Sequence, residues 1–133
     1  MAGSTRVARQ SRGAMSYHAG LSAEDRIADD YERRGYAIVQ RRWRGKAGEI
    51  DLIAQGSDGV VFVEVKQSAT FDRAIERVSA RQMSRLYGSA EEYIGQMPLG
   101  TLTEVRFDVA LVNAHGEVRI IENAFGHGCP IAP

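Results

Sequence analysis

Three side chains in the middle of the chain have the types and spacing that metal-assisted hydrolysis needs. Asp51 is followed about a dozen residues later by Glu64 and Lys66, which stand two positions apart. Carboxylate oxygens are the ligands preferred by hard divalent cations such as Mg²⁺ and Mn²⁺. A lysine ammonium beside such a cation can orient a water molecule or help to deprotonate it. The pattern favours metal-assisted attack of water on a phosphodiester.

Lysine at position 66 is unusual for this chain. Of the seventeen basic residues, only Lys46 and Lys66 are lysine, and all the others are arginine. A compact ammonium has a tunable pKa, whereas a guanidinium stays protonated and cannot take its place beside a water. The retention of lysine therefore favours a chemical role for Lys66.

Two predicted strands, residues 48–54 and 60–66, would bring the acids together. The short interval between them is rich in turn residues and predicts an antiparallel hairpin with Ser57 and Asp58 in its turn. This register places Ile53 opposite Phe62, Asp51 opposite Glu64, and Glu49 opposite Lys66, with Ile50 and Leu52 together on the reverse face. Facing carboxylates repel each other unless one protonates or a cation binds. The alternative is an amphipathic hairpin whose charged face lies in water.

A further acid lies on the first predicted helix. Ser22 and Asp25 form a capping-box pattern, Gly35 supplies the stop, and Ile27, Ala28 and Tyr31 form the apolar stripe. Glu24 falls on the same stripe, where a buried carboxylate is costly unless it is paired or metal-bound. Alternatively, Glu24 lies in the first turn, where the helix dipole and solvent stabilise an acid.

The remaining elements complete a mixed α/β domain, with helices covering a central sheet. Residues 36–42 predict a strand before the hairpin. A helix begins near Ser79, with Gln82 at the capping-box position, and residues 104–112 and 117–121 predict two closing strands. We expect one domain over residues 20–126, a flexible extension over 1–19 and a short tail over 127–133.

Composition narrows the class of protein. A length of 133 residues suits a single domain, and no apolar run is long enough to span a membrane. The single cysteine, Cys129, excludes an internal disulfide framework and favours the cytoplasm. With His127 alone beside it, it provides too few ligands for a zinc site.

A run of basic residues without acids could contact phosphates despite the zero net charge. The run comprises Arg33, Arg34, Arg41, Arg42, Arg44 and Lys46. The alternative is a solvated face. Trp43, inside this run, either stacks on an unpaired base or is a partly buried anchor. Arg106 and Asp108, two apart on the fourth strand, predict a salt bridge that supports the site rather than direct catalysis.

Asp51 with residues 64–66 resembles the PD-(D/E)xK motif of restriction-endonuclease-like nucleases, although no proline precedes Asp51. The chain is still more similar to the YraN-type family of small, largely uncharacterised bacterial proteins, which are predicted to be endonuclease-like. The segments that carry this resemblance are residues 48–53 (GEIDLI), 62–66 (FVEVK), 106–108 (RFD) and 123–125 (NAF), with Ala23, Glu24 and Ala28 on the early helix.

The resemblance implies a restriction-endonuclease-like α/β core, with Asp51 and Glu64 as metal ligands and Lys66 as the catalytic lysine. Glu24 matches the helical acid that such nucleases use near the metal, and Glu49 matches a family acid without an assigned role. Two positions depart from the family pattern. Residues 67–69 lack the arginine that usually follows the lysine, and Gln82 replaces a usual lysine, where it either caps the helix or bonds a water or phosphate.

These observations lead to a hypothesis of a Mg²⁺- or Mn²⁺-dependent nuclease, with DNA favoured over RNA as substrate. Asp51, Glu64 and Glu24 would hold the ion, Lys66 would position the attacking water, and the basic run would follow the nucleic-acid backbone. A C2 homodimer is the expected assembly. One alternative is a nucleic-acid- or partner-binding module that keeps the fold without turnover. A purely structural interaction protein would need the acidic cluster to face solvent.

Overall fold

The computed structural model describes residues 22–124, which contain five strands, three α-helices and a 3₁₀ turn at Gly100–Leu102. The helices are α1 (Ala23–Arg33), α2 (Phe71–Glu76) and α3 (Ala80–Ile94), and the strands are β1 (Ala37–Arg44), β2 (Glu49–Gln55), β3 (Val60–Gln67), β4 (Val105–Val112) and β5 (Val118–Ile121). The predicted extension and tail, with Phe125, His127 and Cys129, lie outside the described residues. Within residues 22–124, no helix combines the length and apolar character that a membrane crossing requires.

The five strands form one mixed sheet in sequence order. β3 and β4 are parallel, and every other neighbouring pair is antiparallel. A parallel pair needs a long crossover, and α2 and α3 provide it between β3 and β4. The predicted mixed α/β architecture, with helices flanking a central sheet, is confirmed.

Helices cover both faces of the sheet because two apolar stripes match its two sides. Ile27, Ala28 and Tyr31 of α1 are fully buried in a cluster that includes Leu52 and Val63. Residues of α3 pack on the other face in a second cluster, with Met83, Leu86 and Ala90 buried against Ile53 and Phe62. Capping boxes at Ser22 and Ser79 begin α1 and α3, as the sequence predicts.

The hairpin of β2 and β3 has the predicted register over its paired part. Ile53 lies opposite Phe62, and the Gly56 N–H donates to the Gly59 carbonyl at 2.9 Å, which leaves Ser57 and Asp58 in the turn. The paired part ends at Leu52 and Val63. Beyond it the alternation of β2 breaks, because Ile50 is buried with Ile53 and not with Leu52. The prediction that Ile50 and Leu52 share a face is therefore wrong.

Two elements are absent from the sequence prediction. The six-residue helix α2 begins after Thr70, whose hydroxyl accepts the Arg73 N–H at 3.1 Å, and the 3₁₀ turn follows α3. The first strand is also longer than predicted and continues through Arg44. Arg41, Arg42 and Arg44 of the basic run therefore lie on an edge strand.

Candidate functional site

The acidic residues meet where the paired part of the hairpin ends beside the start of α1. A cavity of about 370 Å³ lies there. It is lined by Ser22, Ala23, Glu24, Arg42, Asp51, Val65, Lys66, Gln67 and Arg77. The structure therefore brings Glu24, Asp51 and Lys66, predicted from separate elements, to one site.

Asp51 lies one residue beyond the part of β2 that pairs with β3. Its Oδ2 accepts the Val65 N–H at 2.8 Å, so that the carboxylate rather than the backbone joins the two strands here. Asp51 and Glu64, which the sequence predicts to be opposite each other, thus follow directly after the last pair of the β2–β3 ladder, Leu52 and Val63. The two carboxylates are nevertheless close enough for Glu64 to act on the ionisation of Asp51.

Burial raises the pKa of the Asp51 carboxyl to about 7, and the negative charges of Glu64 and Glu24 contribute to this rise. The Val65 N–H and the Lys66 ammonium act in the opposite direction without cancelling this effect. Asp51 is therefore poised to exchange a proton or to accept a cation near neutral pH.

Glu64 and Lys66 form a close pair on β3. Lys66 Nζ lies 3.1 Å from Glu64 Oε2, and the side chains are only 12% and 16% exposed for Lys66 and Glu64 respectively. The predicted pairing of Glu49 with Lys66 is wrong, because the β2–β3 ladder ends at Leu52 and Val63 and reaches neither residue. Glu49 pairs on the other side of β2, across from Arg44 of β1, with Arg44 Nη2 3.6 Å from Glu49 Oε2.

Glu24 lies both in the first turn of α1 and beside the cavity, so the two positions considered for it coincide. Its side chain is 19% exposed, and its Oε1 accepts from Arg42 Nε at 2.9 Å. Arg42 has a φ of 51°, a conformation that costs energy for a residue with a side chain and that often occurs at functional sites. The flanking pairs of β1 and β2 place Arg42 opposite Asp51.

Two of the three acids of the site are already paired with basic side chains. Arg42 bonds to Glu24, and Lys66 bonds to Glu64. Among residues 22–124, no three His, Cys, Asp or Glu side chains are arranged to hold a metal ion directly. Each pair uses one carboxylate oxygen, Oε1 of Glu24 and Oε2 of Glu64, so an ion bound at these carboxylates would share them with Arg42 and Lys66.

Apart from Lys46, the residues of the basic run form two groups. Arg41, Arg42 and Arg44 lie on β1, where they pair with Asp25, Glu24 and Glu49 respectively. Arg33 and Arg34 lie at the far end of α1 and pair with Asp30. Lys46 is exposed in the turn between β1 and β2. Of the basic run, Arg42 alone lines the carboxylate cavity.

A larger cavity of about 440 Å³ lies at the hairpin end of the sheet, away from the predicted catalytic residues, and Arg34 and Arg106 are among its lining residues. The predicted Arg106–Asp108 salt bridge is present there, with two hydrogen bonds of 2.9 Å. Asp108 is fully buried and also accepts from the Tyr31 hydroxyl at 2.6 Å. The network fastens α1, and hence Glu24, to β4.

The remaining candidates have structural positions. Gln82 completes the α3 cap, because its Oε1 accepts the Ser79 N–H at 3.3 Å, and it does not line the carboxylate cavity. Trp43 is half-buried against Tyr93 at 5.2 Å between ring centroids, as expected for an anchor.

Sequence reasoning did not identify Gln67 or Arg77 as residues of the cavity. Arg77 follows α2, and the signal for that helix was Thr70, a good cap residue, before the sequence FDRAIE. A helix of six residues shows too little periodicity to be recognised by its apolar pattern.

Comparisons with known proteins agree on the family. A model of the uncharacterised protein family UPF0102 matches residues 23–112. A UPF0102 protein of Ruegeria pomeroyi is 58% identical over 118 residues, covering 89% of this chain and 96% of the relative. A UPF0102 protein of Roseobacter denitrificans is 52% identical over 121 residues, covering 91% of this chain and 94% of the relative.

Among solved structures, a repair endonuclease from Pyrococcus abyssi matches with a TM-score of 0.44 and 18% identity, over 84% of this chain and 42% of the endonuclease. The sequence relatives and the family model confirm the YraN-type resemblance. The chain belongs to the uncharacterised protein family UPF0102.

Proposed function

We propose that this protein is a metal-dependent nuclease of restriction-endonuclease-like fold that hydrolyses phosphodiester bonds in nucleic acid, with DNA favoured over RNA. The observation that carries the proposal is the convergence of Glu24, Asp51 and Glu64, from α1, β2 and β3, beside Lys66. Three carboxylates on separate elements repel one another, and a bound cation would relieve that repulsion.

The donor set supports Mg²⁺ or Mn²⁺ as the cation. Glu24, Asp51 and Glu64 provide only hard oxygen ligands. The pKa of Asp51 is raised to about 7, first by burial and then by its acidic neighbours, so a cation beside this carboxylate would favour its ionised form. Such an ion, when bound, would activate water as a nucleophile and polarise a phosphoryl oxygen.

Lys66 would position the attacking water and stabilise the charge that develops on the phosphate. Its ammonium is largely buried beside Glu64, so its position is defined before substrate arrives. A preorganised charge in a partly dry site is worth more to the transition state than one in bulk water.

Arg41, Arg42 and Arg44 on β1 would contact the backbone next to the scissile bond, because this strand borders the cavity. We further propose that Arg33, Arg34 and Lys46 extend the contact without reading sequence, and that the protein acts as a C2 homodimer.

A cleavage assay tests this function directly. Linear, single-stranded and branched DNA are incubated with the wild-type protein in Mg²⁺ or Mn²⁺, with an EDTA arm and a Lys66→Ala arm. Cutting that requires both the metal and Lys66 is expected. Failure of the wild type to cut any of the substrates, or equal cutting by Lys66→Ala, would contradict the proposal.

A second candidate function is a nucleic-acid-binding module without turnover. The observation that favours it is the engagement of Glu24 by Arg42 and of Glu64 by Lys66, which neutralises two of the three acids without a metal. DNA binding that persists in EDTA, without cutting in any metal, would select this alternative. A purely structural role is disfavoured, because the Glu24 and Glu64 side chains are 19% and 16% exposed and do not face open solvent.

A further inference from the structure

Three cations line the carboxylate cavity, and they differ in their partners. Arg42 bonds to Glu24 at 2.9 Å, and Lys66 lies 3.1 Å from Glu64. Within residues 22–124, Arg77 has no carboxylate partner, and its Nη1 donates instead to the Gln67 carbonyl at 2.8 Å. Arg77 is therefore the lining cation whose charge is not matched by an acid of the described part of the chain.

The position of Arg77 is held by the fold at two points. It is the C-cap residue of α2, a helix that is fixed to the sheet by the buried Ala74. Phe71, Ile75 and Val78 pack against the same core cluster. The hydrogen bond to Gln67 attaches the guanidinium to the residue that directly follows Lys66 in β3.

This attachment uses one N–H of the guanidinium. A guanidinium has five N–H donors in a planar fork, which suits two oxygens of a phosphate better than a single point acceptor. The side chain is exposed at the cavity wall, so a backbone phosphate would reach it without displacing an internal ion pair. The charges of Arg42 and Lys66, by contrast, are already matched by Glu24 and Glu64.

We propose that Arg77 forms a phosphate-binding subsite at the wall of the carboxylate cavity, where it holds a backbone phosphate of the nucleic acid close to the one that is cut. The inference rests on the proposed function and adds a substrate-binding residue from the end of α2 to those of β1. Arg77 is hydrogen-bonded to β3 next to Lys66. It would therefore fix the position of the nucleic-acid strand relative to the hydrolytic residues.

The test measures binding in EDTA, so that it does not depend on cleavage. Fluorescence anisotropy of labelled single-stranded and duplex DNA is recorded at several salt concentrations for the wild type, Arg77→Gln, Arg77→Lys and Arg73→Gln. Arg73 is the matched control, an exposed arginine of the same helix that does not line the cavity.

Arg77→Gln is expected to weaken binding by about tenfold and to lower the salt slope by about 0.7–0.9, the value for one phosphate contact. Arg77→Lys keeps the charge and should retain the slope of the wild type. If Arg77→Gln weakened binding only by destabilising the fold, its melting temperature would fall and its salt slope would be unchanged. Arg73→Gln should match the wild type.

An equal slope in the wild type and Arg77→Gln, or an equal loss in Arg73→Gln, would overturn the subsite while leaving metal-dependent cutting by the wild type intact. If the wild type neither binds DNA at about 50 mM salt nor cuts it with metal, the proposed function and the subsite both fall.

Discussion

At the scale of single residues, the chemistry of the site depends on the environment of Asp51. A carboxylate in water would remain ionised from about pH 4 upwards. Asp51 instead retains its proton to about pH 7, first because it is buried and then because Glu64 and Glu24 are near. The site therefore contains negative charge that burial makes costly, and a proton or a cation relieves that cost.

This environment gives a prediction for stability without divalent cations. The unfolded chain loses the Asp51 proton near pH 4 and the folded protein loses it near pH 7, so the stability contributed by the neutral carboxyl is complete below pH 4 and is lost as pH rises to 7. Asp51→Asn stays neutral and its amide oxygen can still accept from Val65. Its free energy of unfolding should exceed that of the wild type above pH 7 by on the order of 1–3 kcal/mol.

Urea unfolding in EDTA at pH 4, 5.5 and 7.5 measures the difference. The advantage of Asp51→Asn should shrink towards pH 4, and Asp29→Asn, at an exposed position of α1, should track the wild type at every pH. An advantage independent of pH would show that Asp51 is ionised throughout.

At the scale of elements, the site is made by three ends that meet. α1 contributes its first turn, β2 the start that does not pair with β3, and β3 its last residues, so that Glu24, Asp51 and Lys66 converge although they are distant in sequence. The bond from Tyr31 to the buried Asp108 holds α1 on the sheet. Burial raises the pKa of the Tyr31 hydroxyl, which keeps it protonated as the donor.

The edge strand β1 is the element expected to meet nucleic acid. Replacing Arg41, Arg42 and Arg44 together by glutamine should lower the slope of log affinity against log salt by up to about three, because each phosphate that is no longer neutralised accounts for about one. The measurement is the same salt titration of DNA binding. The control replaces three exposed arginines on other elements, Arg73, Arg81 and Arg119. Equal slopes in the wild type and the β1 variant would show that this strand faces away from the nucleic acid.

At the scale of the whole molecule, the order of elements and the hairpin register could be predicted because period-two apolar patterns and turn residues leave few alternatives. The pairing of Ile53 with Phe62 is an example. The break in alternation at Asp51 could not be predicted, because it arises where two strands separate and a side chain replaces a ladder bond. Arg77 could not be found either, since its place depends on how α2 packs on the sheet.

Binding of a cation should stabilise the whole fold, because an ion that binds only the folded state shifts unfolding to higher temperature. Saturating Mn²⁺ or Mg²⁺ at pH 7.5 should raise the melting temperature of the wild type by several degrees, and Asp51→Asn should abolish the rise. Asp29→Asn should retain it. An equal rise in Asp51→Asn would place the ion elsewhere.

The most direct test of the central claim compares DNA cleavage by wild type, Lys66→Ala and Lys66→Arg in Mg²⁺ or Mn²⁺. A nuclease that uses the Lys66 ammonium to position water should lose roughly 10²–10⁴-fold in rate in Lys66→Ala, the usual range for a positioned acid–base group. Lys66→Arg should not recover it, because the guanidinium is bulkier and stays protonated, while the metal-dependent rise in melting temperature persists in both variants. Wild-type rates in Lys66→Arg would show that Lys66 only pairs with Glu64, and would contradict the account.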